Sequence, residues 1–245
     1  MYKQERIEQV LQILRSQHFC TVEQLVEKLH YSPATIRRDL TQLAKMGMIE
    51  KCYGGASFIG KGTFAEREHR HTVEKSRLCL AAGEMIRDGD TVFVDGTTTT
   101  YFLRDVLIKK QHLFVVTTNL KLAIDLCEHG VTCYLPGGKL CDTTMLGGPI
   151  TAEELERYTF DIAFISPGKV SHGGSFGMPE VFSASTRAVL KNAKKSVCLY
   201  HKDKLLPNVQ YTFGRLGDFH AVVSDAPFPT EFATEFSDTQ FILVK

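Results

Sequence analysis

The chain has 245 residues, of which 43% are hydrophobic and 23% are charged. This composition is close to that of soluble globular proteins and excludes a wholly disordered chain. No apolar stretch approaches the roughly 18 residues of a membrane-spanning helix, and the charged N-terminus has no apolar signal core. We therefore predict a cytoplasmic protein with no membrane partner. The seven cysteines are scattered and odd in number, which is typical of free thiols rather than of disulfides or a zinc site.

The formal net charge is only +1, whereas nucleic-acid-binding proteins are usually basic. The charge is uneven, however, because residues 1–80 carry a net +4 and residues 81–245 a net −3. The secondary-structure pattern changes near the same place. We therefore predict a first domain at 1–58, a charged and Gly-containing linker at 59–73, and a second domain at 74–245.

The first domain is predicted to contain three short helices. Apolar residues recur at helical spacing over residues 4–16. A second helix begins at Thr21, which forms a capping box with Gln24. A third follows Ser32, with Pro33 at its first position. The residues expected to face inward are Ile7, Val10, Leu11, Leu14, Val22, Leu25, Val26, Leu29, Ile36, Leu40 and Leu43.

Gly47 is expected to end the third helix, and two short strands follow around Gly54 and Gly55, since glycines accept the positive φ of a hairpin turn. Three helices and a hairpin in this order favour a helix-turn-helix, which sets its second helix in the DNA major groove. The alternative is a solvated face on a small helical domain. The candidate DNA-binding residues are Thr21, Ser32, Thr35, Arg37, Arg38, Thr41, Gln42, Lys51 and Tyr53.

From residue 88 onward, short β-rich runs alternate with helical segments, a pattern typical of parallel βαβ units. A helix is predicted over 74–86 before the first of these runs. The predicted strands are 91–95, 113–117, 131–135, 160–166, 196–200, 220–224 and 240–244.

The run Asp95-Gly96-Thr97-Thr98-Thr99-Thr100 lies between a predicted strand and a predicted helix. Ligands bind beyond the carboxyl ends of the strands in an open α/β sheet. A glycine followed by hydroxyl groups offers N–H and O–H donors to a phosphate there. The alternative is an ordinary helix cap. Neither of the glycine-rich nucleotide-binding patterns is present.

The segment SPATIRRDLTQLAKMGMIEKCYGGA resembles the winged helix of the DeoR family of bacterial transcription regulators. In that family a Ser and two variable residues precede Thr-Ile-Arg-Arg-Asp-Leu, and a basic wing ends in His-Gly-Gly-Ala. Tyr53 stands where the family usually has His, and Asp39 is expected to pair with an arginine. The matching residues are Ser32, Thr35, Ile36, Arg37, Arg38, Asp39, Leu40, Gly54, Gly55 and Ala56.

The second domain resembles the DeoR-type sensor domain, which is similar in fold to ribose-5-phosphate isomerase and binds phosphorylated sugars or related metabolites. DGDTVFVDGTTTT matches its phosphate loop, and VTTN and LPGGKL match two further ligand-side turns. Thr97, Phe182, Thr186 and His201 stand where the family usually has Gly, Glu, Lys and Asp. The resemblance implies effector-binding residues at Asp95, Gly96, Thr97, Thr98, Thr99, Thr100, Asn119, Gly137, Gly138, Gly168 and Lys204.

We predict a DNA-binding transcriptional repressor of a sugar or related metabolite operon, modulated by a phosphorylated metabolite. The predicted fold class is α/β, with a winged helix-turn-helix followed by a Rossmann-like sensor domain. The partners are double-stranded operator DNA, the effector and further copies of the chain, as a dimer or tetramer, because one recognition helix covers only a half-site. No cofactor or metal is predicted, since His69 and His71 have no third ligand nearby in sequence.

Two other functions are compatible with the sequence. One is a sugar-phosphate isomerase fused to a DNA-binding domain, which would need a carboxylate base beside the sugar carbon. Asp95 is the only acidic residue in the phosphate loop. The other is an architectural DNA-binding protein without a sensor, which the long α/β domain disfavours.

Overall fold

The computed structural model describes residues 3–17, 19–45, 48–52, 54–58, 64–141, 144–209 and 212–245. The chain divides into two compact units, Met1–Gly62 and Thr63–Lys245. Within the described ranges, no helix has the length and apolar character needed to cross a bilayer.

The first unit combines three helices with a small antiparallel sheet, and all three predicted helices are present. The strands pair in the order β1-β3-β2, and β1 was not predicted because three residues leave no periodic pattern. The elements are α1 (Lys3–Gln17), β1 (Phe19–Thr21), α2 (Val22–Leu29), α3 (Pro33–Lys45), β2 (Ile49–Cys52) and β3 (Gly55–Phe58).

The predicted apolar faces of the helices meet in one core. Leu14, Leu25, Ile36 and Leu43 are completely buried there. Each such side chain stabilises the folded unit by about 1.5–3 kcal/mol relative to exposure in water. The helix faces opposite this core are left to solvent, and they carry most of the polar residues of the unit.

The β2–β3 hairpin needs its two glycines for different reasons. Gly54 has a φ of 77°, as a tight hairpin turn requires. Gly55 is already in β3, and a Cβ atom there would lie 2.3 Å from the carbonyl oxygen of Cys20 in β1. The prediction that both glycines supply positive φ was therefore wrong for Gly55, which instead permits close approach of two strands. Gly47, the predicted end of α3, lies outside the described residues.

The second unit is built on a parallel sheet of seven strands in the order β16-β15-β12-β9-β4-β5-β6. This is the doubly wound order of a Rossmann-like fold. All seven predicted strands are present, with ends that shift by at most two residues. The strands of the unit are β4 (Thr91–Val94), β5 (Phe114–Thr117), β6 (Thr132–Tyr134), β7 (Lys139–Leu140), β8 (Leu146–Gly147), β9 (Ile162–Ile165), β10 (Lys169–Ser171), β11 (Ser175–Gly177), β12 (Ser196–Tyr200), β13 (Leu205–Leu206), β14 (Gly214–Arg215), β15 (Ala221–Ser224) and β16 (Gln240–Leu243).

The strands outside the parallel sheet were not predicted. They form a four-stranded sheet in the order β13-β10-β11-β14 and a hairpin of β7 and β8. Each has two or three residues, too few to show an alternating pattern.

Helices cover both faces of the parallel sheet, because successive side chains of a strand point to opposite faces. Val92 and Val94 of β4 share one core cluster with Leu78, whereas Phe93 shares a second cluster with Val189. The helices are α4 (Phe64–Glu68), α5 (Thr72–Gly83), α6 (Arg104–Leu107), α7 (Leu120–Glu128), α8 (Pro149–Leu155), α9 (Glu180–Asn192) and α10 (Phe232–Glu235), with 3₁₀ turns at Thr100–Leu103, Lys202–Lys204 and Leu216–Asp218.

The segment predicted as a linker, 59–73, contains regular structure. All of α4 and the first residues of α5 lie within it. Phe64 is buried, and its ring packs edge-on against Tyr101 with centroids 5.9 Å apart. The charged residues of this segment led to the prediction of a linker, but the buried ring of Phe64 packs α4 against the rest of the second unit.

Candidate functional site

The outer face of α3 carries the residues predicted to contact DNA. Arg37 and Arg38 are exposed, whereas Ile36 faces the core. Thr41 Oγ1 donates to the Arg37 carbonyl oxygen at 2.8 Å and accepts from Lys51 Nζ at 3.2 Å. The structure thus brings the lysine of β2 beside the helix. The half-buried residues of this face are Thr35, Thr41 and Gln42.

Asp39, the acidic residue of α3, is fully buried and pairs with Arg6 of α1. Arg6 Nε and Nη2 donate to the two carboxylate oxygens at 2.5 and 3.1 Å. These bonds raise the pKa of Arg6 above its ordinary value. The prediction that Asp39 pairs with an arginine is confirmed, and the outer face of α3 keeps its positive charge.

Thr21 and Ser32 both cap helices. Thr21 Oγ1 accepts the Gln24 N–H at 3.1 Å and Gln24 Oε1 accepts the Thr21 N–H at 2.9 Å, which confirms the predicted capping box. Ser32 Oγ accepts the Thr35 N–H at 3.2 Å. Contact of either residue with a DNA phosphate stays a prediction. Tyr53 lies outside the described residues.

The parallel sheet has a topological switch point between β4 and β9. From β4 the sheet continues through β5 and β6, and from β9 it continues the other way through β12. The loops that leave β4 and β9 therefore diverge and open a crevice at the carboxyl ends of the strands. Asp95 follows β4 and Ser166 follows β9, and the Ser166 N–H donates to Asp95 Oδ2 at 2.7 Å.

Asp95 organises the loop after β4. Its Oδ1 accepts the Thr97 N–H at 3.0 Å and the hydroxyl groups of Thr97 and Thr100 at 2.8 and 2.5 Å. Burial raises the pKa of Asp95, and these bonds together with the Ser166 N–H oppose the rise. The carboxylate already accepts several donors from the protein, so it is suited to shaping the loop.

The same loop leaves backbone donors free. The N–H groups of Gly96, Thr98 and Thr99 donate to no other residue in the described part of the chain. Gly96 is buried, and a Cβ atom there would lie 3.0 Å from Met145 Cε. Three neighbouring N–H groups without acceptors make a concave donor set of the kind that holds an anion.

Lys204 brings a positive charge to this loop. It lies in the 3₁₀ turn after β12, and its Nζ donates to Ser166 Oγ at 2.6 Å and to Thr99 Oγ1 at 3.2 Å. The ammonium group therefore lies beside the loops that follow β4 and β9. Ammonium and backbone N–H groups together are the donors that bind phosphate oxygens.

Asn119 lies next to the same loop but caps a helix. Its Oδ1 accepts the Leu122 N–H at 3.1 Å at the start of α7, and its Nδ2 donates to the Gly96 carbonyl oxygen at 3.4 Å. Asn119 is completely buried. Its amide is thus occupied in positioning the loop and α7.

The three remaining predicted glycines are Gly137, Gly138 and Gly168. Thr151 Oγ1 donates to the Gly137 carbonyl oxygen at 2.8 Å, and Gly138 has a φ of 133°. The Gly168 N–H donates to the Gly177 carbonyl oxygen at 3.0 Å. Among the described residues, no hydrogen bond joins these glycines to residues 96–100.

The residues that depart from the family pattern lie near these loops. His201 directly follows β12 and is 7% exposed, and its Nδ1 has no hydrogen-bond partner among the described residues. Burial, with nearby Lys204, His71 and Lys75, lowers the pKa of His201 to about 3, so the imidazole is neutral near pH 7. Phe182 lies against Gly147 of β8, and Thr186 is buried in α9.

Sequence reasoning missed Ser166, which links the two loops of the crevice. A signal was available, because Ser166 is the first polar residue after the fully buried strand β9. It also missed Lys75, which is 2% exposed and donates through Nζ to the carbonyl oxygen of Arg67. Burial lowers the pKa of Lys75 to about 8.

Two family models match this sequence. The model of the DeoR-like helix-turn-helix domain matches residues 6–61, and that of the DeoR C terminal sensor domain matches residues 70–226. The chain belongs to the DeoR family. The predicted family, fold class and function are confirmed, so this DeoR-family protein is a DNA-binding transcriptional repressor with a sensor domain.

Relatives match this DeoR-family chain over nearly its whole length. The glycerol-3-phosphate regulon repressor of Escherichia coli (strain K12) is 27% identical over 97% of this chain and 97% of its own. The HTH-type transcriptional repressor GlcR of Bacillus subtilis (strain 168) is 29% identical over 92% and 89%. Both are regulators by name rather than enzymes.

A similar solved structure is that of ribose 5-phosphate isomerase A from Methanocaldococcus jannaschii. Its TM-score is 0.42 at 16% identity, and the match covers 57% of this chain and 56% of that one.

Proposed function

We propose that the crevice of the second unit binds the phosphate group of a small phosphorylated metabolite. The observation that carries this proposal is the position of the Lys204 ammonium beside Thr99 and Ser166, next to the free N–H groups of the 96–100 loop. A phosphate dianion presents oxygen acceptors to all of these donors and neutralises the lysine. The name of the Escherichia coli relative, which mentions glycerol 3-phosphate, supports a phosphorylated effector.

The rest of the effector is expected to meet residues that are particular to this chain. His201 directly follows β12, three residues before Lys204, and Phe182 lies against Gly147 near the start of α8. Both differ in chemistry from the acidic residues usual at these positions in the family. We therefore assign the phosphate to the 96–100 loop and Lys204, and the selectivity for the remainder of the molecule to the surroundings of these two rings.

In the first unit, we propose that α3 enters the major groove of operator DNA. Arg37 and Arg38 would contact guanine or phosphate, and Lys51 of the hairpin would contact the backbone. One such helix reads one half-site, so two or more copies of the chain are needed on an operator with repeated half-sites. The effector regulates DNA binding if it has different affinities for the DNA-competent and DNA-incompetent states.

We propose further that the crevice is not catalytic. An isomerase needs a carboxylate that is free to remove a proton from the sugar carbon. Asp95 is instead held by the Thr97, Thr100 and Ser166 donors. Incubation with ribose 5-phosphate should yield no ribulose 5-phosphate, and turnover above the rate without protein would overturn this part of the proposal.

The effector proposal is tested by thermal shift of the full chain against a panel of sugar and glycerol phosphates. At least one compound should raise the Tm and release a bound operator. The replacement Lys204→Met should lower the affinity for that compound by about tenfold or more, since a hydrogen bond to a charged group contributes about 1.5–3 kcal/mol. The double replacement Thr98→Ala, Thr99→Ala should lower the affinity for the same compound as well.

The matched control is Lys202→Met, because Lys202 is exposed and lies two residues away in the same turn. It removes the same charge without touching the loop, so its effector affinity should equal that of the wild type. Equal affinities of the Lys202 and Lys204 variants would contradict the assignment of the phosphate site.

A further inference from the structure

A second polar cluster lies beside the crevice and shares His201 with the proposed effector site, although none of its residues is assigned to the phosphate. It contains His71, immediately before α5, and His201 and Asp203, which follow β12. One ligand atom from each residue lies within 4.8 Å of the other two. His71 Nδ1 is 3.0 Å and His201 Nδ1 is 4.0 Å from Asp203 Oδ2.

The buried member of the cluster has an unsatisfied polar atom. His201 is 7% exposed, yet its Nδ1 has no hydrogen-bond partner in the described part of the chain. Native proteins rarely bury a polar atom without a partner, because the lost hydration costs about 1–3 kcal/mol. This nitrogen lies on the side of Asp203, so a group placed between them would satisfy both.

His71 does not use its side chain to cap the helix that it precedes. It occupies the N-cap of α5 with a φ of 55°, and its side chain makes no capping hydrogen bond. A Ser, Thr, Asp or Asn at this position would have stabilised the helix start. The imidazole instead pairs with Asp203 and stacks on the ring of His201, with centroids 4.5 Å apart.

We propose that His71, His201 and Asp203 form a binding site for a late first-row transition-metal dication, of which Zn²⁺ is the probe. Two imidazole nitrogens and a carboxylate oxygen are a donor set that Zn²⁺ accepts, at ligand distances of about 2.0–2.2 Å. Ligand atoms at that distance from one ion lie about 3–4 Å apart, close to the separations found here. The fourth tetrahedral position is left to water or an anionic ligand.

The ligand set and the charges around it determine which cations can bind and how tightly. Lys75 and Lys204 lie close enough to act on the His201 imidazole, and Asp203 is the one carboxylate among the three ligands. These positive neighbours weaken the binding of any dication, and the ligand set disfavours Mg²⁺ and Ca²⁺ further, because they need several oxygen ligands and gain little from imidazole. An ion that bonds strongly to nitrogen is favoured, and we expect its affinity to be moderate.

The experiment is a titration of the chelator-treated full chain with Zn²⁺ by calorimetry, followed by Co²⁺ as a visible-absorption probe. One ion should bind per chain, and Co²⁺ should give the absorption of a tetrahedral site. His201→Ala and His71→Ala should each weaken binding by at least the roughly tenfold that loss of an outer-shell partner costs.

Because His201 is buried, Asp203→Asn provides a second test at a half-exposed side chain, where the substitution keeps the shape of the residue. The Asp203→Asn variant should bind Zn²⁺ more weakly by a similar factor, while its Tm without metal stays unchanged. The matched control is His69→Ala, which removes a nearby imidazole outside the cluster and should bind Zn²⁺ like the wild type. Equal affinities of the wild type and the Asp203 variant, or an equal loss with His69→Ala, would overturn the proposal.

Discussion

The two units of the protein hold their functional charges in opposite ways. On α3 of the first unit, Arg37 and Arg38 are exposed, and the only acidic residue of the helix is buried against Arg6. In the second unit, the Lys204 ammonium lies between two hydroxyl groups, and Asp95 accepts hydrogen bonds from its own loop. The first arrangement is open, and the second is organised before any ligand arrives.

This difference suits the two kinds of partner. DNA carries a dense row of phosphates, and exposed arginines gain affinity by displacing its counterions. A small metabolite has few atoms with which to offset the loss of its freedom, so a binding site gains affinity from donors that are already in place. The face of α3 is thus expected to depend strongly on salt, and the crevice on geometry.

The largest expected effect tests the open face. The double replacement Arg37→Ala, Arg38→Ala should weaken operator binding by roughly 2–6 kcal/mol, because each good base or phosphate contact contributes about 1–3 kcal/mol. The measurement is a fluorescence-anisotropy titration with operator DNA at two salt concentrations, and the salt dependence should become shallower. Arg157→Ala removes an exposed arginine of the second unit and serves as the control. Operator binding by the folded double variant at wild-type strength would remove α3 from the DNA interface.

The next effect tests whether the units are stabilised by separate cores. Leu25 and Leu126 are both completely buried, in α2 and α7 respectively. Each replacement by Ala should cost about 2–5 kcal/mol of the free energy of unfolding of its own unit. Leu25→Ala should reduce operator binding at 37 °C while the effector-induced thermal shift persists, and Leu126→Ala should abolish the shift. Loss of both activities in both variants would show that the units do not fold independently.

The same contrast explains what the sequence predicted. The residues that form the outer face of α3 lie within a dozen consecutive positions. Helical spacing alone therefore predicts that Ile36 is buried and that Arg37 is exposed. The crevice is assembled from distant segments: the Lys204 to Thr99 bond spans 105 residues and the Ser166 to Asp95 bond spans 71. The β-rich runs predicted the parallel sheet, and the resemblance to the family indicated Lys204. The polar residue at the end of the buried strand β9 was the local sign of Ser166, whereas nothing in the local pattern indicated that His71 meets His201.

Two further failures of prediction have a common physical cause. The linker was predicted from charge, but α4 is docked by Phe64, which is buried against Tyr101, and by Glu68, which pairs with Lys121. Gly54 and Gly55 were both predicted to supply a positive φ. Gly55 is instead required because Cys20 of another strand leaves no room for a Cβ atom. In both cases the deciding contact is made with a residue far away in the chain.

A smaller effect tests the geometric order of the second unit. Gly138→Ala puts a Cβ atom 2.0 Å from Thr151 Oγ1 at a φ of 133°, so the α8 region must shift. Gly130→Ala also adds a Cβ at positive φ, 75°, but meets no atom of the described residues within 4 Å, and it should cost only the conformational strain of about 1–2 kcal/mol. Urea unfolding should show a larger loss for Gly138→Ala. Equal losses of the free energy of unfolding in the two variants would mean that the backbone at Gly138 can shift at no additional cost.

The last effect depends on pH and concerns the buried cation of the second unit. Lys75 has a pKa of about 8 in the folded protein, below its ordinary value of 10.5 in the unfolded chain. Between these values the unfolded chain binds the additional proton, so the free energy of unfolding should rise with pH, by at most about 1.4 kcal/mol per pH unit. Below pH 8 both states are protonated, and the cost of burying the charge is fully present.

The variant Lys75→Met removes that charge and should be more stable than the wild type at pH 7.5. Its advantage should shrink between pH 8 and 9.5, because the wild-type lysine loses its proton in that window. Comparing the two proteins by urea unfolding at each pH cancels the other groups that titrate there. Lys191→Met, at an exposed position of α9, should show no such trend. A stability difference that stays constant with pH would mean that Lys75 is as well solvated as the arginines of α3, and the contrast between the units would then rest on the crevice alone.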